Sequence, residues 1–250
     1  MNEKILTDSP IHYWVNESKS DKAILFIHPA FGTHACFDEQ LKAFDDCKII
    51  TIDLIGHGKS IGEGKIEDTT KYIYEIMETE QIARVNLVGV SIGAVLAQDF
   101  ANRYPEKVSS LTSVGGYDIN NFPVELQKDN WNRQVKMMMK AMFSIKAFAE
   151  ENRKISAYTQ EAQDKFCKMN LGFKKSSFRC LASLGKMVNR TETTERNYPL
   201  LIGVGEHDNE KAQKAAKMWH DFEPQSTFVV FKNAGHIANM DNPEQFNAVL

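Results

Sequence analysis

The sequence has few of the features that mark specialised classes of protein. Its four cysteines, Cys36, Cys47, Cys167 and Cys180, form no C-x-x-C pair and show no metal-like spacing with histidines, which favours reduced thiols over disulfides or a zinc site. No segment is apolar enough to span a bilayer, and the first residues, "MNEKILTDSPIHYW", lack the basic stretch and long apolar run of a signal peptide. We therefore expect a cytoplasmic protein without a membrane partner.

An excess of charge of one sign is also absent. The formal net charge of −3 gives no electrostatic reason to bind the phosphates of a nucleic acid. There is no internal repeat, no low-complexity tract and no linker rich in Pro, Gly or Ser, and 250 residues are enough to bury one sizeable core. The sequence indicates one core and no nucleic-acid partner, and it leaves the oligomeric state open.

Short apolar runs that end in Gly-containing turns alternate with helical patterns along the chain. The runs lie in residues 22–32, 48–58, 85–91, 108–116, 199–208 and 226–236, and the helical patterns lie in 36–46, 68–82, 92–104, 210–222 and 242–250. Repeated strand-then-helix units predict an α/β fold, a mostly parallel central sheet with helices on both faces. The alternating segment "IHYWVNES" near the start predicts an antiparallel edge hairpin.

One region, residues 117–197, breaks this alternation because it contains no convincing buried strand. Apolar residues there recur near helical spacing, among them Met138, Met142 and Phe143. We predict a helical insertion at 117–197 between two parts of one core, 1–116 and 198–250. An insertion that leaves the carboxyl end of a parallel strand lies near the crevice where α/β proteins bind ligands, so these three side chains are expected to contact a substrate. The alternative is an ordinary piece of helical core.

Ser91 lies in a tight turn between a valine-rich strand and a helical pattern, "VNLVGVSIGAVLAQDFANRYP". Gly89 and Gly93 flank it at two residues on either side, and small residues there let a strand turn sharply into a helix with the hydroxyl raised above the sheet edge. The helix that begins at Ile92 points its free N–H groups towards this position, which favours negative charge. This context predicts that Ser91 is a nucleophile.

A serine nucleophile needs a base, and the base needs an acid to orient it. His236 follows the last predicted strand and can reach the same sheet edge as Ser91, whereas His28 and His57 lie in turns where a loop-shaping role suffices. Asp208 follows the penultimate strand and is the favoured acid. Its rival is Asp118, which follows the strand "SLTSVGG", and an aspartate at the position of Asp208 can also serve as a helix cap.

Five motifs, in order, resemble those of the α/β-hydrolase superfamily, and the resemblance covers nearly the whole chain outside the insertion. They are "HPAFG", "DLIGHGKS", "GVSIG", "GEHD" and "AGH". The resemblance implies that the backbone N–H groups of Ala30 and Ile92 form the oxyanion hole and that 117–197 is a cap. Phe31, the next residue of the same turn, is expected to contact the substrate. It implies neither a cofactor nor a metal. Pro29 stands where the family usually has glycine.

These observations together indicate a serine hydrolase with a small-molecule substrate. The expected activity is that of a carboxylesterase that cleaves a small ester or thioester through an acyl-enzyme. The same triad also serves carbon–carbon bond hydrolysis and acyl transfer, and some proteins with this fold act as small-molecule receptors without turnover, so these alternatives stay open.

Overall fold

The computed structural model describes residues 1–123, 135–137, 139–189 and 195–250. Its centre is an eight-stranded sheet with the order β1-β2-β4-β3-β5-β6-β7-β8. The strands are β1 Asn2–Ile5, β2 His12–Val15, β3 Ala23–Ile27, β4 Lys48–Ile52, β5 Val85–Val90, β6 Val108–Val114, β7 Leu200–Gly205 and β8 Thr227–Phe231. The pairs β1–β2 and β2–β4 are antiparallel, and the others are parallel. The predicted α/β sheet and its antiparallel edge hairpin are confirmed.

The helices connect the strands and cover both faces of the sheet. They are α1 Asp38–Ala43, α2 Thr69–Thr79, α3 Ile92–Arg103, α4 Ile145–Ser156, α5 Gln160–Leu171, α6 Phe178–Leu181, α7 Glu210–Phe222, α8 Ala238–Asp241 and α9 Pro243–Ala248. Residues 135–137 and 139–143 are also helical. One face packs around Phe100 and Trp219, and the other packs around Phe37 and Phe246. Because helices cover both faces, β3 has no exposed residue, which explains its unbroken apolar sequence.

The chain between β6 and β7, which we call the β6–β7 segment, contains helices and no strand in the part that the structure describes. Phe148, Phe173 and Phe178 form a small apolar cluster there, against which Ala141 is buried. The division into a core of 1–116 and 198–250 and an insertion of 117–197 stays a prediction. Among the described residues, no helix has both the length and the apolar character needed to cross a membrane.

Candidate active site

Ser91 joins the end of β5 to the start of α3 in a strained backbone conformation. Its φ is 57° and its ψ is −117°, values that a residue with a side chain rarely adopts. Its N–H donates to the carbonyl of Val114 in the neighbouring strand at 2.8 Å, which ties the turn to the sheet. The structure therefore holds the serine at the carboxyl end of β5 on a fixed, sharply turned backbone.

The two flanking glycines permit this turn because the backbone passes too close for any side chain. A Cβ added at Gly89 would lie 2.3 Å from the carbonyl oxygen of Gly93. A Cβ at Gly93 would lie 2.0 Å from the carbonyl oxygen of Ile27 in β3. These contacts explain the two glycines around Ser91, because α3 can start directly above the sheet only if positions 89 and 93 lack a side chain.

His236 and Asp208 continue from Ser91 in a chain of hydrogen bonds. The Nε2 atom of His236 lies 2.8 Å from Ser91 Oγ, and Nδ1 lies 2.8 Å from Asp208 Oδ2. A carboxylate can only accept, so Nδ1–H donates to Asp208 and Nε2 is left to accept the proton of the serine hydroxyl. The Asp208 side chain has no exposed surface, whereas His236 is 18% exposed. This arrangement can transfer a proton from the serine to the imidazole.

Asp208 does not cap the following helix, because Asn209 does. The Asn209 side chain accepts from the N–H of Ala212 in the first turn of α7 at 3.0 Å. Asp208 Oδ1 instead accepts from the backbone N–H of Asn209 at 2.7 Å and from its side-chain amide at 2.9 Å. These two bonds orient the carboxylate so that Oδ2 faces His236.

The rival acid, Asp118, lies elsewhere in a different network. Its Oδ1 is 2.7 Å from Arg196 Nη2, and both side chains are almost completely buried. Arg196 also pairs with Glu223 and lies over the ring of Trp219, 5.0 Å from its centroid. Asp118 therefore neutralises a buried guanidinium and makes no hydrogen bond to His236.

Two glycines that the sequence analysis treated only as turn residues allow the backbone to pass close to His236 and to the loop that carries it. Gly115 follows β6 with a φ of 62°, and a Cβ there would lie 3.1 Å from Nδ1 of His236. A Cβ at Gly205 would lie 2.0 Å from the carbonyl oxygen of Gly235, so the end of β7 touches the loop that carries the histidine. The signal for both was present in "SVGGY" and "GVGEHD", but the close approach depends on neighbours distant in sequence.

Asp241 is a further residue that the sequence analysis missed. Its carboxylate accepts from the N–H of Gly235 at 2.9 Å and from the N–H of Thr159 at 2.8 Å. The N–H of Ile237 donates to the carbonyl of Ser156 at 3.0 Å. The backbone on both sides of His236 is therefore connected to the β6–β7 segment, directly at Ile237 and through the Asp241 carboxylate at Gly235.

His28 and His57 are buried and shape loops, as their positions in turns suggested. The N–H of Leu54 donates to Nε2 of His28 at 2.9 Å, and its Nδ1 lies 2.8 Å from the carbonyl of Pro29. Burial lowers the pKa of His28 to about 4 and the pKa of His57 to about 3. Both rings are therefore neutral near pH 7, and neither makes a hydrogen bond to Ser91.

The turn that contains Ala30 closes with a hydrogen bond from the N–H of Gly32 to the carbonyl of Pro29 at 3.0 Å. The N–H groups of Ala30 and Ile92 make no hydrogen bond to another described residue. Both residues line the same cavity as Ser91. Two free amide donors beside a serine can stabilise an oxygen on which negative charge develops.

Phe31 occupies the left-handed region of the same turn, with a φ of 65°. Its ring contacts those of Phe148 and Phe173, at centroid distances of 4.7 Å and 4.9 Å. It lines the cavity beside Ser91, and its contact with a substrate stays a prediction. The aromatic cluster of the β6–β7 segment therefore continues into the wall of the cavity.

The cavity beside Ser91 has a volume of about 440 Å³ and a mostly apolar wall. Apolar lining residues include Phe31, Val95, Phe122, Ile155, Phe166 and Phe178, and polar ones include Asn152, Ser156, Asn209 and Lys211. Met142 and Phe143 are not among them: their exposed fractions are 59% and 85%. The expectation that these two side chains line the pocket is therefore corrected.

The helical repeat explains why Met142 and Phe143 point away from the cavity. Met137 lines the cavity and Ala141 is buried against the aromatic cluster one turn later, so the positions that follow Ala141 face outwards. Met138 lies outside the described residues. Within the described part of the chain, no group of three or more His, Cys, Asp or Glu side chains is placed to hold a metal ion.

Comparison with known proteins identifies the family of this fold. A sequence model of the α/β-hydrolase fold matches residues 22–243. A Bacillus subtilis (strain 168) protein provisionally named 2-succinyl-6-hydroxy-2,4-cyclohexadiene-1-carboxylate synthase is 25% identical over 247 residues, covering 92% of this chain and 89% of that protein. The (E)-2-((N-methylformamido)methylene)succinate hydrolase of Acinetobacter baylyi is 21% identical over 262 residues, covering 96% and 92%. A thermophilic esterase from Thermogutta terrifontis superposes with a TM-score of 0.79 at 21% identity, covering 99% of this chain and 95% of that one. The chain belongs to the α/β-hydrolase fold family.

Proposed function

We propose that this protein is a serine hydrolase, a carboxylesterase that cleaves a small ester or thioester through an acyl-enzyme. The observation that carries the proposal is the hydrogen-bonded chain from Ser91 through His236 to Asp208, at the wall of an apolar cavity. Acyl transfer requires a nucleophile, a base and an orienting acid that are hydrogen-bonded to one another in this order. The cavity volume of about 440 Å³ favours a small substrate.

In the proposed reaction, Ser91 Oγ attacks the carbonyl carbon while His236 Nε2 takes the hydroxyl proton. The N–H groups of Ala30 and Ile92 donate to the oxyanion of the tetrahedral intermediate. When the intermediate collapses, the imidazolium gives its proton to the departing alcohol or thiol, and an acyl-serine remains. Water then attacks the acyl-serine as the imidazole takes its proton, and the carboxylic acid leaves with the serine hydroxyl restored.

Asp208 has two tasks in this scheme. It holds the imidazole in the tautomer whose Nε2 is free to accept, and it stabilises the imidazolium that forms. Every step is served by residues of this chain, so the proposal includes no cofactor and no metal.

Turnover of p-nitrophenyl esters tests the proposal. The parent protein should hydrolyse the acetate, butyrate and hexanoate faster than the dodecanoate, whose chain is long for the cavity. Ser91→Ala should lower kcat by at least about 10³-fold, leaving only what binding and the oxyanion donors supply. Turnover that survives in Ser91→Ala at the parent rate would remove Ser91 from the mechanism.

A second candidate uses the same three residues on a bond other than an ester. It is favoured by the two sequence relatives, which are named for a carboxylate synthase and a succinate hydrolase. Carbon–carbon bond hydrolysis also proceeds by proton transfer and attack at a carbonyl. A parent protein that is inert towards all four p-nitrophenyl esters but cleaves a 1,3-diketone into a ketone and an acid, with the departing carbon leaving as an enolate, would favour this candidate.

A further inference from the structure

Two buried polar side chains interrupt the apolar wall of the cavity beside Ser91. Asn152 and Ser156 lie one turn apart on α4, with exposed fractions of only 4% and 8%. Both line the cavity together with Ser91 and His236. A polar side chain is costly to bury unless its donors and acceptors have hydrogen-bond partners. Each donor and acceptor of Asn152 and Ser156 is therefore expected to have a partner in the protein or in a bound molecule.

The orientation of these groups follows from a network that runs from α4 to α5. The side-chain amide of Asn170 donates to the carbonyl of Phe166 at 2.7 Å, which turns its Oδ1 towards Asn152. Asn152 Nδ2 donates to that oxygen at 2.6 Å. Ser156 Oγ donates to Asn152 Oδ1 at 3.3 Å. The amide of Asn152 is therefore held with its NH₂ group towards α5 and its oxygen towards Ser156.

This network leaves hydrogen-bonding capacity unused. A side-chain amide has two N–H donors, and a hydroxyl oxygen accepts as well as donates. No described residue takes the second N–H of Asn152 or donates to Ser156 Oγ. Since both side chains line the cavity, a substrate in the cavity can supply the missing partner.

We propose that Asn152 and Ser156 form a subsite that binds a hydrogen-bond-accepting oxygen on the substrate, such as a ketone carbonyl remote from the ester. The inference rests on the proposed hydrolase function and narrows its substrate class to oxo esters. A site built to hydrogen-bond a substrate oxygen discriminates against an analogue that lacks it, because the buried donor is then left unpaired.

The alternative is that the network only ties α4 to α5. In that case, a substitution at Asn152 lowers the stability of the protein and reduces kcat/KM for every ester by the same factor. The ratio of kcat/KM for an oxo ester to that for its plain analogue separates the two roles, because a purely structural change leaves this ratio unmoved.

Proton release measured with two matched pairs of esters tests the subsite on both sides of the scissile bond. The pairs are methyl 4-oxopentanoate with methyl pentanoate, and 3-oxobutyl acetate with butyl acetate. The parent should prefer the oxo member of at least one pair by about tenfold in kcat/KM. Asn152→Leu should reduce this ratio to near one. Asn152→Asp, which keeps the size but puts an accepting oxygen in place of the donor, should invert it.

Ile155→Val provides the matched control, because Ile155 lines the same wall from the same helix but its side chain has no polar atom. Its oxo-to-plain ratio should equal that of the parent. A parent that hydrolyses the plain esters without preferring either oxo ester overturns the subsite and leaves the proposed function standing, as does a preference that persists in both Asn152 variants. Absence of turnover with all four esters overturns both.

Discussion

The pair Asp208→Asn and Asp118→Asn should separate catalysis from stability, because the two buried aspartates have different partners. Asp208 accepts from His236 Nδ1 at 2.8 Å, whereas Asp118 Oδ1 lies 2.7 Å from Arg196 Nη2. An asparagine at 208 keeps the shape of the side chain but no longer fixes the tautomer of His236. The expected loss in kcat is at least about 10²-fold and up to about 10⁴-fold, with little change in the thermal midpoint.

Asp118→Asn should show the reverse. Removal of one member of a buried ion pair costs about 3–5 kcal/mol, because a charge is left without its partner. Arg196 retains Glu223, so the lower end of that range, about 3 kcal/mol, is expected. For a chain of this size, this loss lowers the midpoint by roughly 6–12 °C. The value of kcat should stay within about tenfold of the parent, since Asp118 makes no contact with His236.

Both quantities are measured on the same preparations, by ester turnover at 25 °C and by a thermal scan followed with circular dichroism. The two aspartates are distinguished by the combination of results, a loss of kcat in one variant and a loss of stability in the other. A large loss of kcat in Asp118→Asn combined with an active Asp208→Asn would refute it, because Asp118 would then be the residue that orients the base.

Three further outcomes follow from the structure. Gly115→Ala should reduce kcat by about tenfold or more, because the added Cβ crowds the His236 ring, and a normal kcat in this variant would contradict that contact. The free energy of unfolding, measured with urea, should fall as the pH is lowered from about 6.5 to about 4, because the unfolded chain takes up protons that buried His28 and His57 do not. His28 alone should lower the free energy of unfolding by roughly 3 kcal/mol over this range, and a free energy that does not change with pH would contradict the prediction. Phe143→Ser should leave kcat/KM for short esters within about twofold of the parent, since its ring is 85% exposed and outside the cavity.

The fold could be predicted from the sequence because its signals are local. Each buried strand is an apolar run that ends in a turn, and β3 is apolar throughout because both of its faces are covered. The turn at Ser91 could also be recognised, because the two small residues that permit it, Gly89 and Gly93, lie within five consecutive positions.

The parts of the site that the sequence left open depend on contacts between residues far apart in the chain. Asp118 and Asp208 both follow strands, and what distinguishes them is Arg196, 78 residues from Asp118 in sequence. The helical spacing of Met142 and Phe143 identified a helix, but periodicity does not tell which face meets the cavity. In the structure, the face that carries Met137 points inwards.

Covalent labelling with a fluorophosphonate, read by intact-protein mass spectrometry and peptide mapping, tests the central claim most directly. The hydroxyl of Ser91 lies 2.8 Å from His236 Nε2, so it should be the one serine activated for attack on phosphorus. The account predicts a single adduct per chain, located on the peptide that contains Ser91 and lost in Ser91→Ala. An adduct on another residue, or equal labelling of Ser91→Ala, would contradict it.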